Sequence, residues 1–194
     1  MKTIGIIGAN GMLGSDLVTF LKKHFSVIAI SKENYQLICN QKFDILINVN
    51  GNSKRFWANK NIVQDFQLST ASVYKSIFDF QFDTYIYISS SDVYEHHSHK
   101  KYTKENQQII PENLSPYGFH KYLSELIIAK HTPKYLILRC SMMLGKHLKK
   151  GPIYDILNKK DLFISEDSRL QMITTNEIAN IILFLLKQKI ENTI

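Results

Sequence analysis

Short apolar runs alternate along this chain with longer stretches in which apolar residues recur every three or four positions. Residues 3–7 (Thr-Ile-Gly-Ile-Ile) have the length and uniform apolarity of a buried strand. Residues 12–23 follow with Leu13, Leu17, Val18, Phe20 and Leu21 at helical spacing, and residues 26–30 form the next apolar run. A helix between two such strands predicts a right-handed βαβ unit. The alternation continues. Residues 44–49 predict a third strand, and 61–80 a helix with Ile62, Phe66, Val73, Ile77 and Phe80 on its inner side. A fourth strand spans 84–89. A helix at 115–130 has Ser115 as its cap and Pro116 in its first turn, and a fifth strand occupies 135–139. The tail predicts a proline-led helix near 153–157, a short strand at 162–164 and a last helix at 176–188.

Strands that alternate with helices predict an α/β fold: a doubly wound, mostly parallel sheet with helices on both faces and a small C-terminal extension. No linker-like stretch interrupts the chain, so 1–194 is expected to form one domain, with 140–194 packed on it. One piece is short. Only thirteen residues, 31–43, separate the second strand from the third. A crossover to a parallel neighbour takes about a dozen or more. At most a vestigial strand near 36–38 is expected there, with its following helix deleted.

The composition is that of an ordinary globular protein, 44% hydrophobic and 21% charged, which excludes disordered and fibrous classes. Lysine and arginine number 24 against 17 acids, a net charge of +7. The excess permits attraction to polyanions, but the basic residues are scattered and read as a solvated surface rather than a nucleic-acid groove. Cys39 and Cys140 are too few for a disulfide framework. The apolar patch before Gly14 is short and broken by glycine, unlike a signal peptide, and the longest apolar stretch, 178–186, cannot span a bilayer. A cytoplasmic protein without membrane or nucleic-acid partners is expected.

The glycines are concentrated where the first strand meets the first helix: four of eight are Gly5, Gly8, Gly11 and Gly14. In the run Gly8-Ala9-Asn10-Gly11-Met12-Leu13-Gly14, Gly8 permits a tight turn and Gly11 a close approach to a pyrophosphate. Gly14 permits close packing of helix on strand, while the helix amino end offers N–H groups to the anion. This predicts a Rossmann-type dinucleotide site, with Asn50 after the third strand as a further candidate cofactor-binding residue. An acid after the second strand accepts from a ribose 2′-hydroxyl, whereas basic and hydroxyl groups suit a 2′-phosphate. Ser31 and Lys32 stand there, with Glu33 slightly late, so NAD or NADP is expected with a lean toward NADP.

A second constellation joins Ser89-Ser90-Ser91-Asp92-Val93-Tyr94, after the fourth strand, to Ser115-Pro116-Tyr117-Gly118-Phe119-His120-Lys121. Tyr117 and Lys121 are four apart and share a helix face, so the ammonium can lower the phenol's pKa from about 10 toward the working pH. Ser90 lies at a strand's carboxyl end, where ligands bind in such sheets, and could share a substrate oxygen with the phenol.

With these motifs the sequence resembles the NAD-dependent epimerase/dehydratase family of the extended short-chain dehydrogenase/reductase superfamily, whose members act on nucleotide sugars. The resemblance also takes in Asn48-Val49-Asn50-Gly51, Glu125, Leu138-Arg139 and residues 173–178. It implies that Tyr117 is the acid/base, that Lys121 orients it and binds the nicotinamide ribose, and that Ser90 polarises the substrate. The implied reaction is hydride exchange between nicotinamide C4 and a sugar carbon, as in an oxidoreductase or epimerase. It further implies a homodimer with a four-helix seam built from 61–80 and 115–130. Several positions depart from the family pattern. Ser91-Asp92 replaces the dehydratases' Asp-Glu pair, which argues against dehydration and leaves Asp92 as an auxiliary acid. Glu95 replaces a glycine, Cys140 replaces a proline, and only 55 residues, 140–194, remain for a substrate region. The rival reading is a catalytically silent dinucleotide-binding regulator or scaffold.

No metal site is expected. His96, His97 and His99 crowd one polar loop without complementary ligand spacing. His120 is expected to point away from the Tyr117–Lys121 face, and Cys140, with no base partner in view, reads as a small core residue.

Overall fold

The structure, a computed structural model, describes residues 1–96 and 99–194. Strand β1 (Thr3–Ile7) leads through a glycine turn into helix α1 (Met12–Leu21) and back into β2 (Ser26–Ile30). A single helical turn, α2 (Tyr35–Ile38), precedes β3 (Lys42–Asn48). Helices α3 (Arg55–Lys60), α4 (Ile62–Phe66) and α5 (Ser72–Asp79) then lead to β4 (Gln81–Ser90), with a π-helical turn at Gln67–Ala71 between the last two helices. The chain closes with α6 (Pro116–His131), β5 (Tyr135–Cys140), β6 (Met142–Leu144), α7 (Pro152–Leu157), β7 (Met172–Thr174) and α8 (Thr175–Lys187).

The five long strands form one parallel sheet in the order β2-β1-β3-β4-β5, the doubly wound arrangement that the alternation predicts. Alternate residues feed opposite faces, as the pleat requires. Ile86 and Ile88 of β4 join Ile4, Ile6, Leu17 and the inner side of α8, whereas Tyr85 and Tyr87 join Val73, Ile77 and Ile128 beneath α5 and α6. Burial of each such aliphatic side chain contributes roughly 1.5–3 kcal/mol. Helix α8 lies beside α1 and brings Ile178, Ala179, Ile182 and Leu183 into the core that holds β1, so the tail is part of this body.

Two expectations fail, and the 36–38 segment takes the lower limit expected of it. No strand forms at 36–38: α2 stands there, and none of its residues is buried. The Asn34 side chain accepts from Ser31 N–H at 2.7 Å and donates to the Ala29 carbonyl at 2.9 Å, folding the chain back so that β2 remains the sheet edge. Residues 162–164 are not a strand either. Leu162, Phe163 and Ile164 are exposed, with no sheet neighbour, and the short parallel pair in the tail is instead β6 with β7. The 61–80 helix is broken by the π turn and preceded by α3, and Ile62 faces solvent rather than the core.

Candidate active site

The glycine turn has the geometry that its spacing predicts. Gly8 has a φ of +84°, and a Cβ there would meet the Asn50 backbone nitrogen at 3.0 Å. The turn therefore abuts the loop after β3, which places Asn50 beside it. Around Gly11 the space is open except for the Gly8 carbonyl oxygen at 3.2 Å, whereas a Cβ on Gly14 would stand only 2.2 Å from that same oxygen. Gly14 is thus the close-packing glycine, and Gly11 leaves room for a ligand. Gly11 caps α1 without a side-chain bond, and the Met12 and Leu13 N–H groups take no partner among the described residues. Asn10 is exposed at the tip, and Met12 is half-buried. Leu13 spends its side chain in the core and offers only its backbone. An open turn with free donors and no first-turn acid fits the phosphates of a dinucleotide.

At the end of β2, Lys32 is exposed, and the Ser31 hydroxyl donates to the Glu33 carboxylate. Because β1 to β5 run parallel, their carboxyl ends share one side of the sheet, and Ser90 comes off β4 on the same side as the glycine turn. The Ser90 hydroxyl accepts from Asp92 N–H at 3.2 Å and donates to the Asp92 carboxylate at 3.0 Å, closing a 3₁₀ turn at Ser91–Val93.

Helix α6 is aimed at this point by its cap: the Ser115 hydroxyl accepts from Gly118 N–H at 3.2 Å. The Tyr117 N–H donates to Asn59 of α3 at 3.1 Å. Tyr117 is 8% exposed, and its phenol lies close enough to Ser90 for that hydroxyl to bear on its pKa. Lys121, also buried, donates from Nζ to the Ile88 carbonyl at 3.2 Å and lies 4.9 Å from the centre of the Tyr87 ring. Ser90, distant in sequence, is brought to the Tyr117–Lys121 pair of α6. Lys121 does pull the phenol's pKa down, but the net shift is upward. Burial dominates and pushes the phenol above its ordinary value; Lys121 and Ser90 pull it down, and the Asp92 carboxylate pushes it up.

The profile of the NAD dependent epimerase/dehydratase family matches residues 4–190. The chain belongs to this family. No curated protein sequence matches it. Solved structures do, among them a dTDP-4-dehydrorhamnose reductase from Clostridium acetobutylicum, 18% identical with a TM-score of 0.80, covering 96% of this chain and 71% of that one. A dTDP-4-dehydrorhamnose reductase from Bacillus anthracis in complex with NADP is 18% identical, with a TM-score of 0.77 and the same coverage. A UDP-glucuronic acid 4-epimerase from Bacillus cereus, in complex with UDP-glucuronic acid and NAD, is 19% identical with a TM-score of 0.76, covering 95% of this chain and 73% of that one. At these identities the likeness is one of fold.

Within this family fold, several contacts around the site carry no local sequence signal. Arg55 pairs with Asp92 at 2.6 Å, so the carboxylate expected as an auxiliary acid is held between Ser90 and a cation. Behind α6, Glu125 is buried against Arg139 at 2.7 Å and accepts from the Ser89 hydroxyl. His120 turns away from the Tyr117–Lys121 face, and its Nδ1 lies 2.7 Å from Asp65 in the core. Lys150 of the tail donates to the Ser53 carbonyl and ties the tail to the loop after β3. Cys140 is half-buried, and burial pushes its thiol up to about 12, the state of an inert packing residue. Of the loop histidines, His99 accepts from Lys101 N–H, and His97 lies outside the described residues. Among the described residues no three metal-ligating side chains converge, and no helix is long and apolar enough to cross a membrane.

Proposed function

We propose that this protein is an NAD(P)-dependent oxidoreductase or epimerase that acts on a sugar nucleotide or related carbohydrate, with Ser90, Tyr117 and Lys121 as its catalytic residues. The observation that carries this reading is the meeting of those three side chains at the carboxyl ends of β3 and β4, beside the turn of Gly8, Asn10, Gly11, Met12 and Leu13. The titles of the reductase and epimerase structures support the substrate class, since they name a dTDP-sugar and a UDP-sugar. Bound NAD(P) supplies the hydride acceptor or donor. In the oxidation direction Tyr117 takes the proton of the substrate hydroxyl as the carbon gives up its hydride, and in reduction it returns that proton. Ser90 holds the same oxygen through its hydroxyl. Lys121, fixed by the Ile88 carbonyl, offers positive charge that favours the phenolate, and its remaining donors suit a ribose hydroxyl.

The Gly8–Leu13 turn would hold the phosphates of the dinucleotide, with Asn50 across from it and Ser31 and Lys32 toward the adenosine ribose. Lys32 leans the site toward NADP, while Glu33, which holds the Ser31 hydroxyl, favours a 2′-hydroxyl. Residues 140–194 serve as a reduced substrate region, strapped over the loop after β3 by Lys150. A homodimer would cover the apolar groove of about 450 Å³ between α5 and α6, lined by Phe66, Tyr74, Phe78 and Ile127. The cytoplasm suits its two free cysteines.

Thermal-shift and titration series with NAD, NADH, NADP and NADPH, followed by turnover on a panel of sugar nucleotides, test the reading. Binding with turnover supports it. Tight binding without turnover on any sugar points to the silent regulator, and no binding removes both. A monomeric mass by light scattering removes the dimer.

A further inference from the structure

Asp65 is fully buried, and no step of the proposed chemistry uses it. A carboxylate removed from water needs several partners. Its Oδ2 lies 2.7 Å from His120 Nδ1, its Oδ1 accepts from the Asn52 amide at 3.0 Å, and the Ser69 hydroxyl approaches it at 3.5 Å. The partners are unusual in what they connect. His120 stands between Tyr117 and Lys121 on α6, and Asn52 belongs to the loop that follows β3 and abuts the glycine turn.

That loop is held from one side by a single stretch of helix. Asn50 donates from its side chain to Ser72 at 3.4 Å, a Cβ on Gly51 would sit 3.5 Å from Ser69 Oγ and 3.6 Å from Lys121 Nζ, and Asn52 reaches Asp65. The π turn at Gln67–Ala71 lies between Asp65 and Ser72, and Thr70 within it donates to the His120 carbonyl at 3.1 Å. A π turn in mid-helix is rare and frequent at functional sites. Here it brings a helix face that carries Asp65, Ser69 and Ser72 against the loop while Thr70 grips α6. Asn52 also ties the loop internally, accepting from Lys54 N–H at 2.8 Å.

We infer that Asp65 is a positioning residue: through Asn52 on one side and His120 on the other it fixes the 50–54 loop against Lys121 and so sets the floor of the dinucleotide site. This deepens the reading of that site as an NAD(P) site and rests on it. The carboxylate touches neither cofactor nor substrate. It makes one rigid unit of the loop beside the phosphate turn and the helix that carries the acid/base.

The test is a double-mutant cycle with NADH and NADPH as probes, on Asp65→Ala, Asn52→Ala and the two combined, with Asp65→Asn as the conservative variant. Loss of one hydrogen bond to a charged group predicts about tenfold weaker dinucleotide binding for each alanine variant. The combined variant should bind no more weakly than the worse single one, because both break the same tether. In turnover the loss should fall on KM for the dinucleotide rather than on kcat. Amide hydrogen exchange should quicken at residues 50–54 in every variant, least in Asp65→Asn. Losses that multiply in the combined variant, or unchanged protection at 50–54, would overturn the inference. If Asp65→Ala does not fold, Asn52→Ala and Asp65→Asn still decide it. If the wild type binds neither dinucleotide the functional reading fails, and the exchange comparison alone judges the tether.

Discussion

A Cβ placed on Gly118 would stand 2.2 Å from the Asp92 carbonyl oxygen. Helix α6 therefore rests its first turn directly on the backbone that follows Ser90, and this contact sets the distance between Ser90 and Tyr117. A side chain at 118 cannot be accommodated by a rotamer change, because the obstacle is main chain. Gly118→Ala is expected to cost about 1–3 kcal/mol of stability, in the range of overpacking. It should also lower kcat by more than the lost folded fraction, since it drives the two residues apart. Thermal unfolding and turnover measured on the same preparation separate the two effects.

Glu125 and Arg139 are paired with side-chain exposures of 2% and 6%, so neither charge has water to fall back on. Glu125→Ala leaves the guanidinium uncompensated and is expected to cost about 3–5 kcal/mol in denaturant unfolding. Replacing both partners with apolar residues should recover much of that loss. Equal destabilisation by the single and double variants would contradict this account.

The sheet was legible because each strand is an apolar run bounded by polar residues, and the motifs of the candidate site lie at strand ends, where parallel topology brings them to one side. The misreadings have physical reasons. The Leu162-Phe163-Ile164 run has the composition of a strand but no sheet edge beside it, whereas Met142–Leu144 and Met172–Thr174 find each other across a long separation. The turn at Tyr35–Ile38 is fixed by Asn34 side-chain bonds that no periodicity reveals. The π turn is invisible because it alters hydrogen bonding and not composition. Asp65 and His120 are 55 positions apart, and a lone buried acid on a helix announces no partner. The spacing of Tyr117 and Lys121 reveals the ammonium that pulls the phenol's pKa down, but not the depth of burial that pushes it up further.

Asp44 accepts from Thr3 N–H at 2.6 Å and from the Thr3 hydroxyl at 2.8 Å, bonds that hold its carboxyl below the ordinary carboxylate range. A depressed folded pKa means that the unfolded chain takes up the proton first. The stabilisation is therefore complete above the unfolded value of about 4 and is lost as pH falls through the folded one. Asp44→Asn should be less stable than wild type at neutral pH, and the gap should close in acid below about pH 4. Urea titrations across that range check the sign; a gap that widens in acid would contradict it.

The raised phenol of Tyr117 has a kinetic consequence. In the oxidation direction, kcat/KM reports the base in the free enzyme, so it should climb with pH into the alkaline range instead of levelling near neutrality. Lys121 pulls this pKa down, and Lys121→Met should move the rise to still higher pH. A profile that Lys121→Met leaves unmoved would show that the ammonium does not act on the phenol.

The most direct test of the central claim is turnover of a sugar nucleotide by wild type and Tyr117→Phe, with the dinucleotide Kd of each measured alongside. The account predicts that the phenylalanine variant keeps its Kd and loses about 10²–10⁴ in kcat, the contribution of a positioned acid/base. Undiminished turnover in the variant would contradict the assignment of Tyr117.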